Sequence, residues 1–262
     1  MNEITSGVTY NNSVFTFDFE NDGETDIIQL KKSIKTIDFI GSVLKYSYEF
    51  DKNVSSTLRT QFIHDIKFDS NIPEDDIEKF VRIAVSKLCN DINIDDIGCI
   101  VFPESRSKLV DILLKHLKLA SNSKITTIKL VKELPKNIEF DIEGFEEAWL
   151  DSYVNGKPRY TDKQKKDTLE KVEKYMDLVH KLDYFSIARN FKKKYRMYIK
   201  NFYKFASDKD KNLFKSISRK PVLLVDDIAT TGTTMAMLLK SLRILGCSNI
   251  TMFSLIGNES LK

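Results

Sequence analysis

The feature that most constrains the fold of this chain is an alternation of short apolar segments with amphipathic helical segments. Four apolar segments are predicted strands, at residues 97–102, 125–131, 222–225 and 250–256. Apolar residues at helical spacing separate them, from Leu109 to Leu117 and again from Met235 to Leu245. Strands that alternate with helices predict an α/β fold with a doubly wound parallel sheet. Ligands of such sheets bind beyond the carboxyl ends of the strands.

The N-terminal part of the chain has a different pattern. Phe15, Phe17 and Phe19 alternate with polar residues, and so do the apolar residues of the segment 44–50. Such alternation is typical of half-buried strands. We therefore expect residues 1–70 to form a β-containing region, to which the sequence assigns no chemistry.

The second expected domain, residues 71–262, begins with an amphipathic helix. Pro73 precedes three acidic residues, a pattern typical of a helix N-terminus. The apolar residues that follow recur at helical spacing: Ile77, Phe80, Val81, Ala84, Val85 and Leu88. These residues are predicted to form the buried face of the helix.

Composition excludes several classes of protein. The 41 basic residues nearly balance the 38 acidic ones, which leaves a net charge of +3, so a general nucleic-acid binder is not expected. The three cysteines are widely spaced and predict free thiols in a reducing compartment. The start of the chain lacks the pattern of a signal peptide, and no apolar stretch approaches the ~20 residues of a membrane helix. We expect a cytoplasmic protein without a membrane partner.

The segment VLLVDDIATTGTT, residues 222–234, combines three chemistries. Asp226 and Asp227 follow four apolar residues, which places them at the carboxyl end of a predicted strand. Two adjacent carboxylates repel each other unless a cation or hydroxyl donors engage them. Sugar hydroxyls or Mg²⁺ are therefore the ligands expected there.

A hydroxyl-rich turn follows the acids and opens a predicted helix. Its residues are Ala229, Thr230, Thr231, Gly232, Thr233 and Thr234. Free N–H groups at a helix N-terminus favour an anion, and glycine lets the backbone approach it closely. A ligand that contacts both the acids and the turn would carry hydroxyls and one phosphate within a small sugar. Ribose 5-phosphate fits this description. The alternative is that the threonines only cap a helix and the acids lie in a solvated turn.

This segment resembles the phosphoribosyl pyrophosphate (PRPP) motif of type I phosphoribosyltransferases. The resemblance implies that Asp226 and Asp227 hold the ribose hydroxyls and are the catalytic residues, which stabilise positive charge on the sugar, and that residues 229–234 bind the 5-phosphate. It also implies Mg²⁺ as cofactor, held through substrate oxygens and water and in part by the two aspartates. The matching βα pattern covers about the C-terminal two-thirds of the chain.

A second anion site is expected on the neighbouring strand. The segment after Phe102 opens a predicted helix and contains two hydroxyls and two cations. Its candidate pyrophosphate-binding residues are Glu104, Ser105, Arg106, Ser107 and Lys108. The alternative is an ordinary helix N-terminus whose basic residues face solvent.

The residues between the last two βα repeats are predicted to form a helical insertion, at about 136–218, that covers the site as a lid. The turn-like segment 149–159 contains the candidate lid residues Ser152, Tyr153, Lys157 and Arg159. Its Ser-Tyr pair resembles the loop of purine-type members, and residues 159–164 resemble the ComF-like branch. An ordinary surface turn is the alternative.

Aromatic residues recur at helical spacing further along the insertion, with basic residues between them. The pattern predicts one helix over 189–204, whose aromatic stripe packs against a core or whose basic face meets nucleic acid.

Together these features predict a Mg²⁺-dependent phosphoribosyltransferase of nucleotide metabolism that joins PRPP to a nitrogenous small-molecule acceptor, as a homo-oligomer, most simply a dimer. The alternative is a PRPP- or nucleotide-sensing regulator that binds nucleic acid.

Overall fold

The structure is a computed structural model that describes residues 4–5, 8–11, 14–17, 19, 42–50, 55–68, 72–122, 124–154, 161–186, 191, 193–217, 219–229 and 232–258. Its strands are β1 (Ile4–Thr5), β2 (Val8–Asn11), β3 (Val14–Phe17), β4 (Ser42–Phe50), β5 (Cys99–Pro103), β6 (Thr126–Lys132), β7 (Glu139–Phe140), β8 (Ile199–Lys200), β9 (Tyr203–Phe205), β10 (Val222–Ala229) and β11 (Ile250–Asn258). Its α-helices are α1 (Ser56–Phe68), α2 (Glu74–Asp91), α3 (Lys108–Ala120), α4 (Ile142–Val154), α5 (Asp162–Val179), α6 (Asp208–Ile217) and α7 (Thr233–Ile244).

The chain forms two compact units. Unit 1 consists of Met1–Val131 and Phe205–Lys262, and unit 2 is Lys132–Lys204. The helical insertion expected at 136–218 overlaps unit 2 over most of its length. Helix α6 lies within the expected insertion but belongs to unit 1.

A six-stranded sheet has the order β4-β11-β10-β5-β6-β9. The four neighbouring pairs from β4 to β6 are all parallel. This mostly parallel sheet confirms the α/β class that the alternation of strands and helices predicts, and it is compatible with a doubly wound fold. The register sets Leu224 of β10 beside Val101 of β5, so the carboxyl ends of these two strands meet at one edge of the sheet.

Strand β10 lies inside the sheet and is covered on both faces. All eight of its residues are buried. Leu223 and Val225 belong to the hydrophobic core cluster that contains the apolar faces of α1, α2 and α3. Leu224 projects to the opposite face, because successive side chains of a strand alternate, and it is fully buried as well. A parallel strand buried on both faces is expected to be apolar throughout, so the two acids in β10 need a specific explanation.

Helix α2 confirms the prediction made from its periodicity. All six predicted apolar positions are buried: Ile77, Phe80, Val81, Ala84, Val85 and Leu88. Neither α2 nor any other helix in the described part of the chain is long and apolar enough to cross a membrane.

The N-terminal region contributes to the main sheet. Strand β4 pairs in parallel with β11, so the six-stranded sheet includes residues from the expected region 1–70. The half-buried strand predicted at 44–50 is wrong in its burial, because Lys45 and Ser47 are buried together with their apolar neighbours. Lys45 is tolerated there because its Nζ lies 2.7 Å from the carboxylate of Asp91. Strands β1 to β3 form a separate antiparallel sheet, and Phe15 of β3 contacts Phe62 of α1.

The single helix predicted over 189–204 is wrong. Among the described residues of this segment, Lys193–Tyr198 form a 3-10 helix, and β8 and β9 follow it. Asn201 lies between the two strands, and its φ of 56° is left-handed and incompatible with a continuous helix. The packing interpretation of the aromatic residues is confirmed, because Phe191 and Phe202 are buried and each contacts Phe185 in unit 2.

The cysteines are free thiols, as expected from their spacing. Cys99 and Cys247 are buried, and Cys89 is half-buried. Burial raises the pKa of Cys99 to about 12. A thiol in this environment is unreactive because it does not form the thiolate.

Candidate functional site

The two adjacent carboxylates, which we call the acid pair (Asp226 and Asp227), lie inside strand β10. The strand continues past the predicted segment 222–225 to Ala229. Asp226 is 7% exposed and Asp227 is 2% exposed. Because burying an unpaired charge is very unfavourable, the chemistry of the acid pair is set by the groups that touch it.

Lys67 of α1 is the ionic partner of the acid pair. Its Nζ lies 2.8 Å from Oδ1 of Asp227, and its side chain is 19% exposed. The backbone N–H of Ile228 donates a second hydrogen bond to the same Oδ1, at 2.7 Å. The contact joins residues that are far apart in sequence, so no local pattern identifies Lys67, and sequence reasoning missed it.

Asp226 retains its proton more readily than an ordinary aspartate. Burial raises the pKa of Asp226, the negative charge of Asp227 raises it further, and Lys67 opposes both effects. One cation therefore serves two adjacent acids, which favours a protonated carboxyl beside a carboxylate. Such a pair both donates and accepts hydrogen bonds, as recognition of a sugar diol requires.

One oxygen of the acid pair lacks a partner. Oδ2 of Asp227 is buried and receives no hydrogen bond from the described residues. A buried acceptor without a donor costs free energy that a hydroxyl or a cation would recover. Carboxylate oxygens are also the ligands that Mg²⁺ prefers. Within the described ranges no group of three or more His, Cys, Asp or Glu residues gathers, so substrate oxygens and water would have to complete the coordination of a cation.

Polar groups cross the sheet at the level of the acid pair. Ser254 of β11 stands opposite Asp226 in the ladder, and its Oγ lies 3.1 Å from the backbone oxygen of Asp227. Ser47 of β4 is 1% exposed, and its Oγ has no hydrogen-bond partner among the described residues. Three adjacent strands thus carry buried polar side chains at the same level of the sheet, where apolar side chains would be expected. This level of the sheet therefore differs from the rest of the core.

The turn after β10 leads into helix α7. Ala229 and Gly232 are buried, Thr233 and Thr234 are half-buried, and Thr230 and Thr231 lie outside the described residues. Gly232 has a φ of 66° and occupies the N-cap position of α7, where no described side chain caps the helix. The left-handed conformation explains the glycine. A helix N-terminus is a favourable place for an anion, because backbone N–H groups point outward along its first turn.

The loop after β5 contains the five residues predicted to bind pyrophosphate. Glu104, Ser105 and Arg106 are exposed, Lys108 is half-buried, and Ser107 is buried. Oγ of Ser107 accepts a hydrogen bond from the N–H of Leu109 and so caps α3. Ser107 therefore has a structural role, and Arg106 and Lys108 are the groups that supply positive charge at this strand end.

The lid expected over residues 149–159 is wrong in its local structure. Helix α4 continues through Ser152 and Tyr153 to Val154, so these two residues lie in a helix rather than a turn. The other two candidates, Lys157 and Arg159, lie outside the described residues. Thr161 and Gln164 form the capping box of α5, which accounts for the residues that resembled the ComF-like branch.

No protein-family model matches the chain, and no curated protein matches it. The function must therefore be argued from the acid pair and its surroundings.

Proposed function

We propose that this protein is a phosphoribosyltransferase that uses Mg²⁺ and PRPP and transfers ribose 5-phosphate to a nitrogenous acceptor. The proposal depends on one observation above all. A buried acid pair, a glycine turn at a helix N-terminus and a basic loop occur at the carboxyl ends of two adjacent strands, and these are the three chemistries that PRPP requires.

The acid pair is proposed to hold the ribose ring. The carboxyl of Asp226 donates a hydrogen bond to one hydroxyl, and the unpartnered oxygen of Asp227 accepts one from the other. The nearby turn supports a 5-phosphate site, because the N-terminus of α7, with Gly232 at its N-cap, follows only a few residues after Asp227. The short chain between the two features matches the size of a single phosphorylated pentose.

The basic loop after β5 is proposed to hold the pyrophosphate. Arg106 and Lys108 supply the charge, and the parallel register brings their strand end beside the acid pair. Mg²⁺, bound mainly by substrate oxygens and water, would neutralise part of the charge of the leaving group. Asp226 and Asp227 are the protein groups of the correct type to contact it.

The proposed transfer breaks one bond and forms one. The bond between C1 of ribose and the pyrophosphate oxygen breaks, and its electron pair leaves with pyrophosphate. A lone pair of the acceptor nitrogen forms the new C1–N bond, and the proton of that nitrogen passes to solvent. The carboxylate of Asp227 stabilises the positive charge that develops on the ribose, an electrostatic role.

A second candidate is a protein that binds PRPP without transferring it. The ion pair between Lys67 and Asp227 favours this candidate, because the lysine neutralises a charge that catalysis would use. Nucleic-acid binding through a basic helix at 189–204 loses its main support, since that segment is not one helix.

Measurement of pyrophosphate release tests the two candidates. The purified protein is mixed with Mg²⁺, PRPP and single acceptors: adenine, guanine, hypoxanthine, cytosine, uracil, orotate, nicotinate and ammonia. Release that depends on one acceptor supports the transferase. Saturable PRPP binding without release for any acceptor supports the second candidate. Absence of both binding and release contradicts both.

A further inference from the structure

Helix α1 has an open groove of about 520 Å³ along one side. Its lining residues are Ser56, Thr57, Thr60, Gln61, His64 and Asp65. This volume lies within the range of small-molecule sites, which is about 300 to 1,000 Å³. The lining combines hydroxyls, a carboxamide, an imidazole and a carboxylate, a set of groups that recognises a polar ligand by hydrogen bonds.

The carboxylate of Asp65 is the unusual member of this lining. Its side chain is 10% exposed, and its partner is the imidazole of His64, with Nδ1 of His64 3.7 Å from Oδ1. That separation is too long for a hydrogen bond, and the side chain of His64 is itself 60% exposed. Buried carboxylates are normally hydrogen-bonded because desolvation is otherwise uncompensated. Asp65 is therefore suited to receive N–H donors from a bound molecule.

One side of α1 carries both residues that line the groove and the ionic partner of Asp227. Thr60, His64 and Lys67 follow one another at steps of four and three residues and thus form one row on α1. The last member of this row touches Asp227 at 2.8 Å. A helix rises about 1.5 Å per residue, so His64 and Asp65 lie within one turn of Lys67. A molecule in the groove would have its end close to the proposed ribose site.

We propose that the groove of α1 binds the nitrogenous acceptor, with an N–H edge of the acceptor hydrogen-bonded to Asp65. The preferred acceptors are neutral or cationic heterocycles that carry amino groups, and acceptors that carry a carboxylate are rejected by repulsion from Asp65. This inference rests on the proposed function, because it names the acceptor class of the same reaction. Thr57 and Gln61 also line the groove and supply further polar contacts.

Nuclear magnetic resonance titration of the full-length protein tests the assignment. Adenine, cytosine and orotate are titrated separately, with and without Mg²⁺ and PRPP, and the α1 amide signals are followed. We expect adenine or cytosine to shift these signals and orotate to leave them unchanged. Asp65→Asn is expected to weaken that binding at least tenfold. Asp75→Asn, which alters an exposed carboxylate of α2, is the matched control and leaves the binding unchanged.

Three results overturn the proposal: orotate binds as well as the amino-bearing bases, Asp65→Asn binds as tightly as wild type, or none of the three bases shifts the α1 signals. If Asp65→Asn does not fold, Thr57→Val with Gln61→Ala replaces it, and a loss of less than threefold in affinity overturns the proposal. Base binding at α1 without PRPP binding contradicts the proposed function alone. Turnover of PRPP with an acceptor that does not perturb α1 contradicts the groove alone.

Discussion

The carboxyl ends of β10 and β5, two adjacent strands of unit 1, differ in the burial of their charged groups. At the end of β10 the charges are buried and partly compensated inside the protein, since Lys67 contacts Asp227 and backbone N–H groups contact both acids. At the end of β5 the charges face solvent, and Arg106 is exposed. Buried, fixed groups recognise a ligand by geometry, whereas exposed charges attract it and are weakened by salt. If the protein binds PRPP as we propose, the comparison teaches that the β10 end selects the ligand and the β5 end supplies attraction.

Removal of the acid pair is expected to have the largest effect. Asp226→Asn together with Asp227→Asn should lower turnover of PRPP about a thousandfold, because groups that stabilise the developing charge are lost. The rate of pyrophosphate release under saturating PRPP measures this loss of turnover. Asp75→Asn with Asp76→Asn, an acid pair at the start of α2, is the matched control and should retain full activity. Equal losses in both variants contradict the assignment.

Loss of Lys67 is expected to destabilise the fold. Lys67→Met leaves Asp227 buried without a counter-ion, and breaking a buried pair costs about 3 kcal/mol. Lys115→Met breaks an exposed ion pair with Glu78 and should cost less than about 1 kcal/mol. Urea unfolding of both variants measures the difference. Similar free energies of unfolding for the two variants would show that the ion pair at the β10 end contributes no more to stability than an exposed ion pair.

Two left-handed glycines within the described residues allow backbone strain to be separated from phosphate binding. Gly232 has a φ of 66° and Gly246 a φ of 84°, so alanine at either position should cost about 1 to 2 kcal/mol. Gly232→Ala should also weaken PRPP binding about tenfold, about 1.4 kcal/mol. Gly246→Ala, at an exposed position with open space around it, should leave binding unchanged. Calorimetric titration with PRPP measures the affinity of both variants. Equal affinities would show that the turn after β10 is not part of the PRPP site.

The β5 end is expected to give the smallest effect. Arg106→Ala should raise the KM for PRPP about fivefold at low salt and less at high salt, since exposed charges are screened. The melting temperature should not change, because the side chain is exposed. Arg82→Ala, another exposed arginine, on α2, should leave KM unchanged. A salt-independent effect of Arg106→Ala would mean that this loop is as specific as the β10 end.

Elements with a strong local pattern could be predicted from the sequence. The buried face of α2 was predicted at every position, because a helix that buries one face leaves a regular period in the chain. The apolar segment at 250–256 was likewise predicted as a strand and lies within β11. The same alternation predicted strand β10 but ended it at Val225, so the acid pair was expected just beyond the strand, whereas it lies inside the strand.

Features that depend on distant contacts could not be predicted. Lys67 reaches Asp227 only through the packing of α1 on the sheet. The sequence around either residue gives no indication of this contact. The aromatic residues of 189–204 fit a helical period by coincidence, because strand β8 is stabilised by its pairing with β7 in unit 2, where Phe140 stands opposite Ile199. The burial of Lys45 could not be predicted for the same reason, because it depends on the ion pair with Asp91, which is distant in sequence.

Calorimetric titration of the wild-type protein with PRPP, ribose 5-phosphate and pyrophosphate, each with Mg²⁺, tests the central claim most directly. If the two strand ends hold the two ends of one ligand, all three compounds bind, and PRPP binds more tightly than either fragment. Ribose 5-phosphate should also lose its affinity in the Asp226→Asn, Asp227→Asn variant. Absence of binding heat for both PRPP and ribose 5-phosphate would contradict the account.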